Sequence, residues 1–241
     1  MEIMKIEKAG SSNSVALELI EKSDVKEGTV VWVLNQTQGR GQRNNTWLSE
    51  PGLNLTISII LKPVFLKPEK QFYLSKAITL GVADYAGLFS SDVKVKWFND
   101  IFIGDKKLAG ILIESIWLGQ KISASVVGIG LNLNQEKFPG DIPQAISLKM
   151  QTGVPFILDE SLKLLHGLIL TRYLQLQDKQ FTEIDREYHL KLYGLGEKKS
   201  FLKEGEIFEA EILEVEPNGH IRLKLSNGQI ASYNMHEVKM L

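Results

Sequence analysis

Apolar and polar positions change period several times along the 241-residue chain, and each change marks an element. Residues 15–20 place apolar side chains at the spacing of a short amphipathic helix, behind a cluster of N-cap oxygens from Ser11, Ser12, Asn13 and Ser14. Residues 29–34 are a β-branched run that predicts a buried strand. Residues 53–61 alternate and then become continuously apolar, a strand buried on at least one face. Pro68, at a permitted first-turn position, opens a predicted helix reaching residue 90, with Phe72, Leu74, Ala77, Leu80 and Leu88 at roughly helical intervals. Strands are predicted over 93–97, 101–103, 108–117 and 122–133, with Gly104-Asp105 and Gly119-Gln120 as turn signals. Asp159 is placed to cap a helix whose stripe is Leu162, Leu165, Ile169, Tyr173 and Leu176, and Thr182 with Asp185 forms a capping-box pattern for another. Together these predict an α+β fold, a mixed β-sheet with helices on one side.

Gly194-Leu195-Gly196 ends the helical region, and a domain boundary is predicted there, giving domains 1–194 and 195–241. From residue 200 the pattern has period two. Phe208, Ala210 and Ile212 share one parity, Leu213 and Val215 the other, so one extra residue at Ile212-Leu213 predicts a β-bulge. Asn218-Gly219 and Asn227-Gly228 are hairpin turns flanking Ile221, Leu223 and Leu225. The expected module is a small SH3-like barrel, marginal in size unless it packs on its neighbour.

Composition narrows the function classes. Hydrophobic content of 44% and charge of 24% suit a globular protein large enough to bury a substantial core. A net charge near −1 argues against a dedicated nucleic-acid binder, as do the eight acids and six bases after residue 196. Cysteine is absent, which excludes disulfides, thiolate metal sites and cysteine nucleophiles. The first nine residues lack the apolar core of a signal peptide, and no stretch reaches the roughly 18 apolar residues of a membrane span. The expected location is cytoplasmic, with no membrane partner.

Candidate chemistry begins in the loop over residues 36–47, where Gly39 and Gly41 alternate with Arg40 and Arg43 among amides, without a carboxylate. Such a loop suits anions, through main-chain N–H groups and guanidinium donors. Two further segments join it: Lys96-Trp97-Phe98-Asn99-Asp100 followed by Lys106-Lys107-Leu108-Ala109-Gly110-Ile111-Leu112, and Gly128-Ile129-Gly130-Leu131-Asn132-Leu133-Asn134. In this order and spacing, over most of residues 10–150, they resemble the biotin protein ligases, whose signatures run GRGxxxxxW, KWPND, KKxxGIL and GIGINxN. The resemblance implies a catalytic domain of the class II synthetase and biotin ligase type. It also implies a reaction in which biotin and MgATP give a bound biotinyl-5′-adenylate, whose acyl group passes to one lysine of a biotin carboxyl carrier protein.

It further implies roles. Ser11, Ser12, Asn13, Gln36, Arg40, Gly41 and Gln42 would surround biotin and the linking phosphate, and Gly110, Leu112, Gly128 and Gly130 would line the biotin slot. Lys107 would reach the biotin carboxyl and the phosphate; Arg40, Arg43 and Lys96 would serve the ATP or adenylate, with Lys106 a further cation, and Asn132 would meet adenine. Asp100 could hold Mg²⁺, orient Lys107 or accept a proton from the attacking lysine. Trp47 and Trp97 are expected to pack in the core. His166, His189, His220 and His236 have no assigned role.

The chain departs from the family pattern at Gln42, often arginine, at Asn44, often glycine, and at Phe98, nearly always proline. The missing arginine removes a permanent donor near the adenylate; asparagine tolerates left-handed geometry, and Phe98 relaxes the backbone restriction on Trp97. The signatures start near Ser11, so a monofunctional ligase without an N-terminal DNA-binding domain is expected. The alternatives are a lipoate ligase or octanoyltransferase, and a non-catalytic biotin-responsive adaptor. A homodimer through an edge strand, with residues 122–127 as the candidate, is left open.

Overall fold

Two β-sheets organise the chain in a computed structural model whose described residues are 2–139 and 144–241, the side chain of Asn44 excepted. The larger sheet has strand order β1-β2-β3-β7-β6-β5-β4. It comprises β1 (Ile3–Ala9), β2 (Val30–Gln36), β3 (Leu55–Leu61), β4 (Val93–Lys96), β5 (Asp100–Ile103), β6 (Lys106–Leu118) and β7 (Lys121–Leu131). β1 runs parallel to β2 through the crossover helix α1 (Ser12–Lys22), and the other neighbours are antiparallel, which makes the sheet mixed.

Strand parity divides the sheet into two unlike faces. Val30, Trp32, Ile57, Ile59, Val127 and Ile129 point into the main core, covered by α2 (Phe72–Gly87) and α4 (Leu158–Gln177). The alternate residues Val31, Val33, Ile60 and Val126 meet Ala16 of α1 on the opposite face. The long helices thus occupy one side as expected, and the short α1 lies on the other. α2 is apolar almost all round because it lies between the sheet and α4, where Gly81 permits close approach: a Cβ there would fall 2.8 Å from Ile169 Cα. α3 (Leu148–Thr152) and α5 (Phe181–Leu190) complete the helices of the described residues.

The second sheet, order β11-β10-β9-β8-β12, is antiparallel throughout: β8 (Lys198–Lys203), β9 (Glu206–Val215), β10 (Ile221–Leu225), β11 (Ile230–Tyr233) and β12 (Lys239–Met240). Its register passes over Leu213, pairing Arg222 with Glu214 and then Leu223 with Ile212, which is the bulge that the parity change predicts. The sheet is tied to the first by polar anchors. Trp97 Nε1 donates to Gly219 O at 3.0 Å, and the fully buried Lys76 ammonium donates to Val215 O at 3.0 Å and to Asp185 at 2.5 Å. Val215 N–H donates to His189 Nε2 at 2.9 Å.

Several sequence expectations need correction. The sequence pattern does not predict β1, because Lys5, Glu7 and Lys8 interrupt its apolar positions; the exposed Lys5 lies over the Trp32 ring and pairs with Asp159 at 3.3 Å. Residues 68–70 form a separate 3₁₀ turn ahead of α2, which ends at Gly87. α5 begins at Phe181 with Gln180 as its cap, and Asp185 serves Lys76 and Tyr73 rather than a capping box. Asp159 lies in the first turn of α4, not at its cap. The candidate dimer strand 122–127 is interior from Ser125 onward, flanked by β3 and β6.

Candidate active site

Three glycines strip the sheet face opposite α2 and α4 of side chains. Gly110 pairs with Gly130, and Leu112 with Gly128, across β6 and β7. The bare patch is used at once: a Cβ on Gly128 would come within 2.2 Å of Asn13 Oδ1, and one on Gly130 within 2.2 Å of Trp47 Cε2. Asn13 and Trp47 therefore lie flat on the strands, which only glycine allows.

Asn13 reaches the sheet because α1 begins there. Ser11 holds the N-cap position, but the Ser12 N–H donates to Gln36 Oε1 at 2.7 Å, so the amide of the last β2 residue does the capping. Ser58 Oγ on β3 donates to Asn13 Oδ1 at 2.5 Å and lies 2.8 Å from Ser12 Oγ. Trp47 arrives through the glycine-rich loop, which folds back on itself: Gly41 N–H donates to Asn45 O at 2.7 Å, and Trp47 N–H to Gly39 O at 2.9 Å. The left-handed residue of this loop is Arg43, φ 55°, and not Asn44, whose side chain is outside the described residues.

These pieces enclose a cavity of about 220 Å³. Ser11, Ser12, Asn13, Gln36, Leu112 and the three glycines line one part, and the loop residues Arg40, Gly41 and Gln42 its rim. Arg43, Lys96, Asp100 and Lys107 line another part. The three motifs, far apart in sequence, thus meet in one place. Lys106 points to solvent.

The second part is dominated by cations. Lys107 Nζ pairs with Asp100 Oδ1 at 2.8 Å and sits 5.6 Å from the Trp47 ring centre. Asp100 is the one carboxylate among the described lining residues. Burial pushes the Lys96 ammonium below its usual range; Asp100 opposes this, while Lys107 and Lys239 reinforce it by repulsion. Burial likewise lowers Arg43. These positive groups face a common space with one acid between them, so the cavity presents an unneutralised field suited to a polyanion.

Two features could not be read from the motifs. Lys239 and Met240 of β12 also line the cavity, and the second sheet is latched over it: Lys96 Nζ donates to Leu241 O at 3.1 Å and Arg43 to Val238 O at 2.5 Å. No local pattern marks a two-residue strand as part of a site. Glu114 is the other. It accepts from Arg40 at 2.8 Å and from Asn13 at 2.7 Å, and strand parity from Gly110 and Leu112 was the available signal.

Asn132 stands apart. It is absent from the cavity lining, 3% exposed, and donates to Ile146 O at 3.2 Å, so its amide fastens a loop to the end of β7; its Oδ1 has no partner among the described residues. Trp47 and Trp97 both line the cavity as well as packing, as do Phe98 and Asn99. The Trp97–Phe98 peptide is cis. None of the four histidines is among the described lining residues. Among the described residues no group of three or more metal-binding side chains occurs, and no helix is long and apolar enough to cross a membrane.

Known proteins share this chain's sequence pattern and fold. Residues 7–132 match the model of the biotin/lipoate A/B protein ligase family. The chain is 31% identical over 175 residues to the biotin–[acetyl-CoA-carboxylase] ligase of Paracoccus denitrificans, covering 69% of this chain and 72% of that protein. It is 28% identical over 228 residues to the bifunctional ligase/repressor BirA of Bacillus subtilis, covering 90% of this chain and 68% of that protein. Among solved structures, the biotin protein ligase from Aquifex aeolicus in complex with biotin and ATP shares the fold over 100% of this chain and 98% of that one, with a TM-score of 0.83 at 24% identity.

Proposed function

The chain belongs to the biotin/lipoate A/B protein ligase family, and from that premise we propose that it is an ATP-dependent, AMP-forming biotin protein ligase. It joins biotin to one lysine of a biotin carboxyl carrier domain through a bound biotinyl-5′-adenylate. The observation that carries the reading is the abutment of a glycine-floored, amide-lined slot on a cluster of cations. A neutral bicyclic ring with a carboxylate tail needs the first, and a nucleoside triphosphate the second.

In the first half-reaction a biotin carboxylate oxygen attacks the α-phosphorus of ATP and pyrophosphate leaves. Bringing two anions together is the main obstacle, and positioned cations lower it by holding charge where it develops. Lys107 is assigned to the carboxylate and the α-phosphate, since it borders both parts of the cavity. Arg43, Lys96 and Lys239 are assigned to the remaining phosphates, and the amides of Asn13 and Gln36 with the Ser12 hydroxyl to the ring.

In the second half-reaction the ε-amine of the carrier lysine attacks the acyl carbon, AMP leaves, and a proton must leave the nitrogen. Asp100, whose Oδ1 lies 2.8 Å from Lys107 Nζ, is assigned that proton. A magnesium ion that draws most of its ligands from phosphate and water fits a cavity with a single carboxylate. When bound with ATP it would neutralise phosphate charge.

The finer assignments follow the same reading. We place the boundary between the catalytic and C-terminal domains after residue 194, and the protein in the cytoplasm, where ATP and carboxylases meet. Beyond Ile111 the outer side of β6 has no partner strand among the described residues, and it carries Trp117 and Leu118, 42% and 77% exposed. That edge is available to a second copy of the chain.

Thermal unfolding with ligands tests the function. Biotin with MgATP should raise the midpoint well beyond biotin alone, because a tightly held adenylate stabilises by about RT ln of its saturation ratio. Lipoate giving the same rise would support the lipoyl reading, and no effect of ATP in the presence of biotin would support an adaptor.

A further inference from the structure

Glu114 has no part in the scheme above, yet a single one of its oxygens joins two elements of the site. Its Oε2 accepts from Arg40 Nη2 in the glycine-rich loop at 2.8 Å and from Asn13 Nδ2 at the start of α1 at 2.7 Å. The side chain is 29% exposed and stands on β6 two residues beyond Leu112, on the face that carries the site. Asn13 cannot turn to find another partner. Its amide lies against Gly128, its Oδ1 accepts from Ser58, and its Nδ2 also meets Leu112 O at 3.2 Å.

We propose that Glu114 is a positioning residue for the biotin end of the site, a clamp that ties the loop to α1 through Arg40 and Asn13 and so holds the slot in its binding shape. The inference rests on the biotin reading given above. One consequence concerns Arg40: its charge is already answered by Glu114, so it acts as a strut of the loop, and Arg43, Lys96, Lys107 and Lys239 supply the charge for phosphate. A clamp of this kind lowers the ordering cost that biotin otherwise bears when it binds. It acts on binding and leaves the chemical steps alone.

Glu114→Gln keeps the shape and one acceptor oxygen but turns charge-assisted hydrogen bonds into neutral ones, which are about half as strong. Biotin affinity, measured calorimetrically without ATP, should fall about tenfold, and the biotin KM of carrier labelling should rise by a similar factor. The kcat at saturating biotin and the KM for ATP should hold within about twofold. Arg40→Gln should cost a similar factor in biotin affinity, and the double variant little more than either alone, because the two remove one interaction. An unchanged biotin affinity overturns the proposal, and so do losses that multiply in the double variant. A fall in the ATP KM of Glu114→Gln would also overturn it, since Glu114 would then be competing with phosphate for Arg40.

Hydrogen exchange in the ligand-free protein tests the clamp independently of function. Glu114→Gln should speed exchange at the Gly41 and Trp47 amides, whose bonds close the loop, while the β7 amides keep their protection. Unchanged exchange at those two amides counts against the clamp. A wild-type protein that binds no biotin, with faster loop exchange in the variant, would sink the ligase reading and leave the clamp standing.

Discussion

Adding one methyl group at Gly130 should disable biotin binding without unfolding the protein. The Cβ of Gly130→Ala would lie 2.2 Å from Trp47 Cε2 and 2.6 Å from both Cζ2 and Nε1. Carbon atoms pack at about 3.5–4.0 Å, so the indole must retreat by roughly 1.5 Å. It cannot sink into the sheet. Its exit is into the cavity or outward with the loop, whose fold depends on the Trp47 N–H bond to Gly39 O. Either way the slot changes shape, and a misplacement of about 1 Å is enough for roughly a hundredfold loss. The core side of β7, built from Ile129 and Leu131, is untouched, so the stability cost should stay in the usual overpacking range of about 1–3 kcal/mol. The assay is biotin-dependent labelling of a carrier domain, with a circular-dichroism melt of each variant. We expect kcat/KM for biotin to drop about a hundredfold in Gly130→Ala. Gly110→Ala should lose only a few-fold, because its new Cβ would meet the Trp47 edge at 3.1 Å and the flexible end of Lys107 at 3.3 Å. Full activity in Gly130→Ala, or equal losses in the two variants, would refute the idea that the glycines exist to seat Trp47.

Lys239→Ala should raise the KM for ATP about tenfold and leave biotin affinity unchanged, as steady-state kinetics in each substrate will tell; an effect on biotin instead would misplace the C-terminal strand. Gly167 lies in α4 with nothing within 4 Å of an added Cβ, so Gly167→Ala should stabilise the fold by about 0.5–1 kcal/mol in urea unfolding, and destabilisation would contradict the helix as described. Burial, opposed in part by the hydrogen bond to Gly28 O, holds the His166 imidazole below its usual 6.5. Because the unfolded chain then binds its proton first as pH falls, this contribution to stability is complete above 6.5 and is lost as pH drops from there through the lowered value. His166→Gln, which can still donate to Gly28, should flatten the stability profile just below pH 6.5; an unchanged slope would assign the acid sensitivity elsewhere.

Much of the site was legible in the sequence because its chemistry is local. A strand delivers the glycine-rich loop at Gln36, and adjoining strands deliver Asp100, Lys107, Gly110 and Gly130, so the ordered motifs and the family that they resemble point to one site. What was missed depends on distance along the chain. Lys239 reaches the cavity only because Lys76, Trp97 and His189 anchor the second sheet, and the anchors are main-chain acceptors and donors that no side-chain pattern reveals. Glu114 lies outside the conspicuous motifs, and only the fold brings Arg40 and Asn13 beside it. β1 was hidden for a related reason. An edge strand parallel to its neighbour can carry Lys5, Glu7 and Lys8, so its alternation is weak. Asn132 sits in the expected motif, yet its amide is spent on the Ile146 carbonyl.

The central claim is that this cavity makes an adenylate of biotin and gives the acyl group to a carrier lysine. Its most direct test is the intact mass of a purified biotin carboxyl carrier domain after incubation with the protein, biotin and MgATP, beside Lys107→Ala and a lipoate control. The account predicts a single biotinyl adduct that requires ATP and is reduced at least a hundredfold in rate by Lys107→Ala, whose loss removes charge stabilisation at the reacting centre. No adduct, an adduct that forms without ATP, or equal transfer of lipoate would contradict it.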